Sequence, residues 1–572
     1  MPKNFWKIFP VVLLCVWALC SPISSAAESG ALRVEPQALD IVGIYQVKSL
    51  EPNLLGEGVN LGVISRSLTY VNGEPQNDYR PRVIHNCFSK KKIRFFDEGK
   101  SAAGVSPHST AVCSILFGED AGGYDKQLGQ FRYEGILPRG QGNVYEFWHF
   151  VTNYILGDSA IESDILTASI GTEFEDWWTR GIGAIVEHQD VIVVAGIGNG
   201  SNAHDPPLYP GAGANMLGVG VVDSVDSNDL AIELSRFSLA YPEFSSCGPT
   251  GDNRSKPDIV APGNCLAADI NDVNSYQPTG SYSSFSTPIV AGTIGLLVEK
   301  AKQSEGLGEA ISPYVMKAIV MNSATKLPYW HKGRVEKEDD HVIPLDYAQG
   351  AGMLNAVGAY KQLVAGVNKP GKSSSVGWDK NKLRGSEPDN TYRIKIDKAN
   401  ELCFTGTLVW NRHYQSSYPF EPNRASDSDL RLELWAVDHN DPNNDRLIDY
   451  SDSYTDNIEH IYCEMDANHT DYELVVTFSD VNDPNALSIE GYGLAWNVGE
   501  KPLDDMTARC DINADGIVND PDVMTLMGNL LNSMNSSDSY LMGDIDGDGR
   551  IDVNDLHILM EQTDRKADWL KE

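Results

Sequence analysis

Ser284 heads an apolar run in Ser281-Tyr-Ser-Ser-Phe-Ser-Thr-Pro-Ile-Val-Ala-Gly292, where a hydroxyl at a helix start could attack a carbonyl. A serine hydroxyl is a weak nucleophile until a neighbouring base takes its proton. His108, in His108-Ser-Thr-Ala-Val-Cys-Ser-Ile115, opens a second such run and is the candidate base. Asn199, in Gly198-Asn199-Gly200, follows the run Val191 to Ala195, so a turn at a strand's end would project its amide. An amide there can donate to the oxyanion formed by the attack, and losing such a donor costs roughly 10²–10³ in turnover. Each residue has a plainer use when taken alone. Ser284 could cap a helix, Asn199 could hold a turn, and His108 could be a packed core histidine.

The elements that must position these groups are read from periodicity. Leu61 to Ile64, Asn143 to Phe147, Ala168 to Gly171, Val191 to Ala195 and Leu217 to Val222 are short apolar runs, predicted as strands. Between them, His108 to Phe117, Trp178 to His188, Thr287 to Lys302 and Pro313 to Asn322 are predicted helices. That alternation predicts an α/β domain over 28–365, a parallel sheet covered by helices on both faces. Pro288 is expected at an early helical position, which its fixed φ suits. Residues 366–390, rich in Ser, Lys and Gly, read as a linker. Over 391–500 the pattern turns to alternation without helices, as in Leu430-Arg-Leu-Glu-Leu-Trp435, which predicts an all-β sandwich.

With these blocks in view, the segment from about Ile41 to Val364 resembles the catalytic domain of subtilisin-like serine peptidases. His108-Ser-Thr is similar to the family's His-Gly-Thr, Gly135-Ile-Leu-Pro138 to its Gly-Val-Ala-Pro turn, and Gly350-Ala-Gly-Met-Leu-Asn355 to its closing Gly-x-Gly-x-x-Asn. Phe244-Ser-Ser-Cys-Gly-Pro249 and Lys256-Pro-Asp-Ile-Val-Ala-Pro-Gly263 are further family blocks. The resemblance implies His108 as base, Ser284 as nucleophile, Asn199 as oxyanion donor, and Ala168, Ser169, Ile170 and Gly171 lining an extended peptide substrate. It also exposes departures. In Gly58-Val-Asn-Leu-Gly-Val-Ile-Ser65-Arg66-Ser67, Ser65 stands where the family's aspartate belongs. Tyr282-Ser283 replaces the family's Gly-Thr before the nucleophile, and Ser109 its glycine after the histidine. A serine can orient the imidazole but cannot supply charge, and losing that acid drops turnover about 10⁴-fold. Asp97, with Asp78 behind it, is the candidate substitute acid. Two readings stay open: a serine endopeptidase, or a degenerate subtilase serving as a binding or scaffold component.

Residues 501–572 carry a second chemistry. Asp511-Ile-Asn-Ala-Asp-Gly-Ile-Val-Asn-Asp-Pro-Asp522 and Asp544-Ile-Asp-Gly-Asp-Gly-Arg-Ile-Asp-Val-Asn-Asp555 are matched frames, each followed by a predicted helix. In the first, Asp511, Asn513, Asp515, Ile517, Asn519 and Asp522 occupy ligand positions. In the second, Asp544, Asp546, Asp548, Arg550, Asp552 and Asp555 do. Ile517 and Arg550 would contribute their carbonyls, so two Ca²⁺ sites are expected. This repeat resembles a dockerin domain, a small α-helical calcium-binding fold, which implies a cohesin-type partner.

Residues 1–27, with Lys3 and Lys7 ahead of an apolar core and small residues after it, read as a signal peptide, so the chain is expected to be secreted. No later run is apolar enough to span a membrane. The formal charge of −35 argues against nucleic acid, which such a surface repels. Cys87, Cys113, Cys247, Cys265, Cys403, Cys463 and Cys510 remain after the signal, an odd number. None sits in a zinc pattern, so no zinc is expected, and no motif calls for an organic cofactor.

Overall fold

The computed structural model describes residues 32–565, apart from 34–36, 92, 100, 126–128, 201–205, 223–244, 328–329, 334–340, 398–401, 424–427, 480–488, 501–506, 508–509, 513–516, 532–542, 544 and 546–549. The expected signal peptide, Phe244, and Asn513, Asp515, Asp544, Asp546 and Asp548 lie outside the described residues.

Seven short apolar runs become strands: β1 (Asn60–Ser65), β2 (Ile93–Phe96), β3 (Gln141–Glu146), β4 (Ile165–Ala168), β5 (Ile192–Gly196), β6 (Leu217–Val222) and β7 (Ile259–Pro262). They form one sheet in the order β7-β6-β5-β4-β1-β3-β2, and every adjacent pair is parallel. Parallel pairing needs crossovers, and these put helices on both faces; β4 through β7 are accordingly buried along their whole length.

Side-chain alternation divides each strand between two cores. Leu61, Val63, Val144, Ile165, Val194 and Val219 pack with helices α1 (Pro107–Phe117) and α3 (Ser283–Gln303). Ile64, Tyr145, Leu166, Ala168, Val193 and Ala195 pack on the other face with Ile182, Ile185 and Val186 of α2 (Trp177–Gln189). From β1 the chain runs to the edge strand β2, returns through β3 and then crosses past β1 to β4, so the winding reverses beside β1. That makes the carboxyl end of β1 the point in an open α/β sheet where a site is expected.

Two expectations shift. The run Ala168 to Gly171 does not continue as strand: β4 stops at Ala168. Helix α3 begins at Ser283, so Pro288 lies inside it and not in its first turn.

The stretch 366–390 is not a linker. It contains the strands Gly371–Ser373 and Val376–Leu383 and the start of Asp389–Lys395. Val376–Leu383 pairs along its whole length with Glu490–Glu500, which supplies the partners that its loop-like composition hides. These strands belong to a five-stranded and a four-stranded sheet that share one core, built from Leu430, Leu432, Leu434, Tyr472, Phe404, Ile461 and Trp496.

This β unit is fused to the peptidase-like unit. Trp378 is fully buried in the α/β core and donates Nε1–H to Leu363 O at 2.9 Å. Helix α4 (Pro313–Asn322) packs on Leu402–Trp410 and Glu490–Glu500, with Thr407 Oγ1 donating to Asn322 Oδ1 at 3.1 Å. The block Lys256-Pro-Asp-Ile-Val-Ala-Pro-Gly263 has a structural role here. Fully buried Asp258 accepts from Gly218 N at 2.6 Å and Lys256 Nζ at 2.5 Å, and sits 3.1 Å from Lys317 Nζ of α4. Burial pulls the Lys256 ammonium down to about 7 against the opposing pull of Asp258.

A partly buried ionic contact joins the two units. His413 Nδ1 lies 2.6 Å from Glu187 Oε1 of α2, and its Nε2 lies 3.1 Å from Glu490 Oε2. Hydrogen bonds to Glu187 and then Glu490 raise the imidazole to about 10. A raised pKa stabilises the fold fully below the unfolded value of about 6.5 and loses that contribution as pH climbs through the folded value. Thermal melts of the wild type should therefore fall in Tm between about pH 7 and pH 10. A His413→Gln variant should start lower and lose most of that slope.

Candidate active site

The site is assembled at the carboxyl ends of β1, β4 and β5 by the amino ends of two helices. Helix α1 starts under a cap, with the Ser106 hydroxyl accepting from Ser109 N at 3.1 Å and Pro107 entering the first turn. His108 follows at once and is partly buried. Its ring lies 5.7 Å from the ring of Phe285, the residue after Ser284, which brings the two helix starts together. Burial lowers the imidazole below its ordinary value, so it is neutral and able to accept a proton near pH 7.

Ser284 is the second residue of α3 and is half-buried. Pro288 explains a contact around it. Proline has no N–H, so the Ser284 carbonyl four residues back loses its helical donor. Ser169 Oγ donates to that carbonyl at 2.9 Å and fills the place. The first residue past the end of β4 thereby pins the backbone of Ser284.

Asn199 is oriented by Ser283, the residue before Ser284. Its Oδ1 accepts from Ser283 N at 2.7 Å and from Ser283 Oγ at 2.9 Å. With both lone pairs engaged, the side-chain NH₂ is turned the other way, and no acceptor for it occurs among the described residues. The Ser284 N–H, one of the free donors of a helix start, likewise has no acceptor among them. Gly198 makes the turn that presents Asn199. Its φ is +108°, and a Cβ there would lie 2.8 Å from both Leu208 Cγ and Ser246 Oγ. Gly196 lets the end of β5 meet α3 closely, since a Cβ would lie 3.1 Å from Ser283 Oγ.

Ser65 closes β1 and is buried. Its hydroxyl accepts from Ser109 Oγ at 3.1 Å, a bond made by the residue beside His108 and not by the imidazole. Asp97 and Asp78 are both committed elsewhere. Asp97 Oδ2 accepts from Tyr79 Oη at 2.6 Å and from Arg80 Nη2 at 2.6 Å, and its Oδ1 takes Gly99 N at 2.8 Å. Burial pushes its carboxyl up, but the bonds from Tyr79 and Arg80 outweigh that and hold it below the ordinary value. Asp78 takes Leu68 N and Thr69 N on one oxygen and Thr69 Oγ1 on the other. No carboxylate bonds the His108 ring among the described residues.

Past Ala168, residues Ser169, Ile170 and Gly171 are progressively open to solvent, and Phe174 is 73% exposed. Tyr282, half-exposed, packs edge-on against Phe285 at 6.3 Å and covers part of the helix start. The structure thus brings His108, Ser284, Asn199, Ser169 and Ser65 to one edge and leaves Asp97 and Asp78 in separate networks. Sequence reasoning missed the roles of Ser283, Ser109 and Ser169. Only the last had a legible signal, the donor that Pro288 cannot supply.

Described residues of the two C-terminal frames lie in a small separate core formed by Cys510, Ile512, Val518, Leu526, Ile545, Ile551 and Leu559. Asp511, Asp522 and Asp555 are buried there. Asp522 accepts from Asn519 N at 2.8 Å, while Asp555 accepts from Ile545 N at 2.7 Å and Asp552 N at 2.8 Å. The Asn519 side-chain oxygen is buried and takes no donor from the described residues.

Similarity to known proteins falls on the same region. The family model described as the Subtilase family, Peptidase_S8, matches residues 57–359, more than half of the chain. The C5a peptidase of Streptococcus pyogenes is 33% identical over 169 residues, covering 29% of this chain and 13% of that protein. Tripeptidyl-peptidase 2 of Drosophila melanogaster is 25% identical over 322 residues, covering 51% of this chain and 20% of that one. Thermitase of Thermoactinomyces vulgaris is 29% identical over 153 residues, with 25% and 42% covered. The chain therefore spans less than half the length of each of these relatives. A family match that begins before β1 and ends within α5 (Ala356–Val364) encloses every element that carries His108, Asn199 and Ser284, and the chain belongs to the subtilase family of serine peptidases.

Proposed function

We propose that the chain is a secreted serine endopeptidase tethered through a calcium-dependent dockerin. The observation that carries the reading is the double hydrogen bond from Ser283 to Asn199 Oδ1, which leaves the Asn199 amide and the Ser284 N–H as unspent donors beside the Ser284 hydroxyl. In this mechanism neutral His108 takes the Ser284 proton as Oγ attacks the peptide carbonyl. Asn199 Nδ2 and Ser284 N hold the oxyanion, a term worth about 10²–10³ in rate. His108 then protonates the leaving amine, and water hydrolyses the acyl-enzyme by the same route. The substrate would lie extended against Ala168 to Gly171.

A second reading, a degenerate subtilase acting as a binding component, is favoured by the Ser65–Ser109 bond at the acid position. A fluorophosphonate probe separates the two. Covalent labelling of Ser284 that disappears in Ser284→Ala and His108→Ala is the expected result; absence of labelling in folded protein would sink the peptidase reading. Because burial lowers His108, the acid limb of kcat/KM against pH should fall below about pH 6.5 in the wild type. Ser65→Asp, which sets a carboxylate beside the imidazole, should move that limb upward.

For the C-terminal frames, the donor set is all oxygen and the buried carboxylates share one sign, which suits a hard divalent cation. The orphaned Asn519 oxygen fits a ligand at the ninth loop position. Asp511, Asn519, Asp522, Asp552 and Asp555 would hold Ca²⁺, together with the loop residues between them, and the ion would neutralise their mutual repulsion. Chelation should then abolish hydrogen-exchange protection of Asp520–Asn529 and Val553–Gln562 without altering hydrolysis of a soluble peptide. Calcium-dependent binding of a cohesin-type domain is the matching test of tethering. Protection that survives chelation would count against the calcium sites.

A further inference from the structure

We propose that Glu146, at the end of β3, supplies the carboxylate that β1 lacks at Ser65 and acts as a positioning residue for His108. The inference rests on the reading of the chain as an active peptidase.

Ser65 and Glu146 are Cα partners in the parallel ladder between β1 and β3. Partners in such a ladder lie about 4.8 Å apart and direct their side chains to the same face. That face is fixed by the residues two positions back, Val63 and Val144, which both pack in the core beneath α1 and α3. Glu146 is therefore one strand removed from the position of the missing acid, on the side of the sheet where His108 sits. Its side chain is one methylene longer than an aspartate's.

The side chain itself has capacity to spare. It is 1% exposed. One oxygen, Oε2, accepts from His149 N at 2.9 Å and caps the short helix Phe147–Phe150. The other, Oε1, is buried without any hydrogen-bond partner, and no ion pair to Glu146 occurs among the described residues. A buried carboxylate oxygen with no donor is disfavoured unless something is gained from it, and such groups gather where chemistry is done. The other two carboxylates near the strand ends, Asp78 and Asp97, have both oxygens engaged. Glu146 alone of the three keeps an oxygen for the imidazole. The assigned step is one proton transfer: as His108 takes the Ser284 proton, the ring becomes positive and the Glu146 carboxylate compensates that charge.

Glu146→Gln tests this, because the amide keeps an acceptor for His149 N and so retains the cap while removing the charge. The expected result is a kcat lower by about 10²- to 10⁴-fold with KM nearly unchanged and Tm close to wild type. Adding Ser65→Asp to Glu146→Gln should restore most of the lost kcat, which a cap or a packing role would not permit. Turnover of Glu146→Gln within about 2-fold of wild type would overturn the assignment while leaving the peptidase reading intact. So would a loss in folded protein that Ser65→Asp does not recover. If the wild type is neither labelled nor active while Ser65→Asp is, the peptidase reading of the native chain fails first, and the role of Glu146 falls with it.

Discussion

Asn199 has a single side-chain oxygen, and Ser283 occupies both of its lone pairs. The rest of the site is arranged around that constraint. It ties the turn after β5 to the start of α3 and leaves the Asn199 side-chain N–H groups without an acceptor among the described residues. The close approach at Gly196 and the left-handed turn at Gly198 exist to let this contact form. A side chain with a different acceptor geometry at 199 would free α3 to shift, and Ser284 would move with it.

The acid position shows how a departure from a family pattern spreads through a structure. A buried aspartate would demand donors and hold the imidazole by charge. Ser65 needs only a hydroxyl, and Ser109, which replaces a residue without a side chain, provides it. The two substitutions fit each other, so the end of β1 and the first turn of α1 remain joined by a neutral contact. Burial of the His108 ring lowers its proton affinity.

Much of the α/β unit was legible in the residues. Runs such as Leu61 to Ile64 and Leu217 to Val222 are apolar at every position because both faces of a parallel sheet are covered, and they become strands to within a residue. His108 and Ser284 stand at helix starts and Asn199 just past a strand's end, the places their sequence contexts predict. Two things were hidden because they depend on partners remote in sequence. Val376–Leu383 looks like linker until it pairs with Glu490–Glu500, and α3 begins ahead of Pro288 because Ser169 satisfies the carbonyl that the proline abandons. Asp97 looked available on position alone; Arg80 and Tyr79, nearby in sequence but uninformative without coordinates, already hold it.

Trp378 belongs by chain order to the β unit and by packing to the α/β core. Severing the chain near residue 370 would thus not liberate an intact α/β unit. It would open a hole where the indole had been, strip α4 of its cover, and leave Leu363 O without the indole N–H that holds it. What reads as an accessory module is a wall of the house in which the α/β core stands.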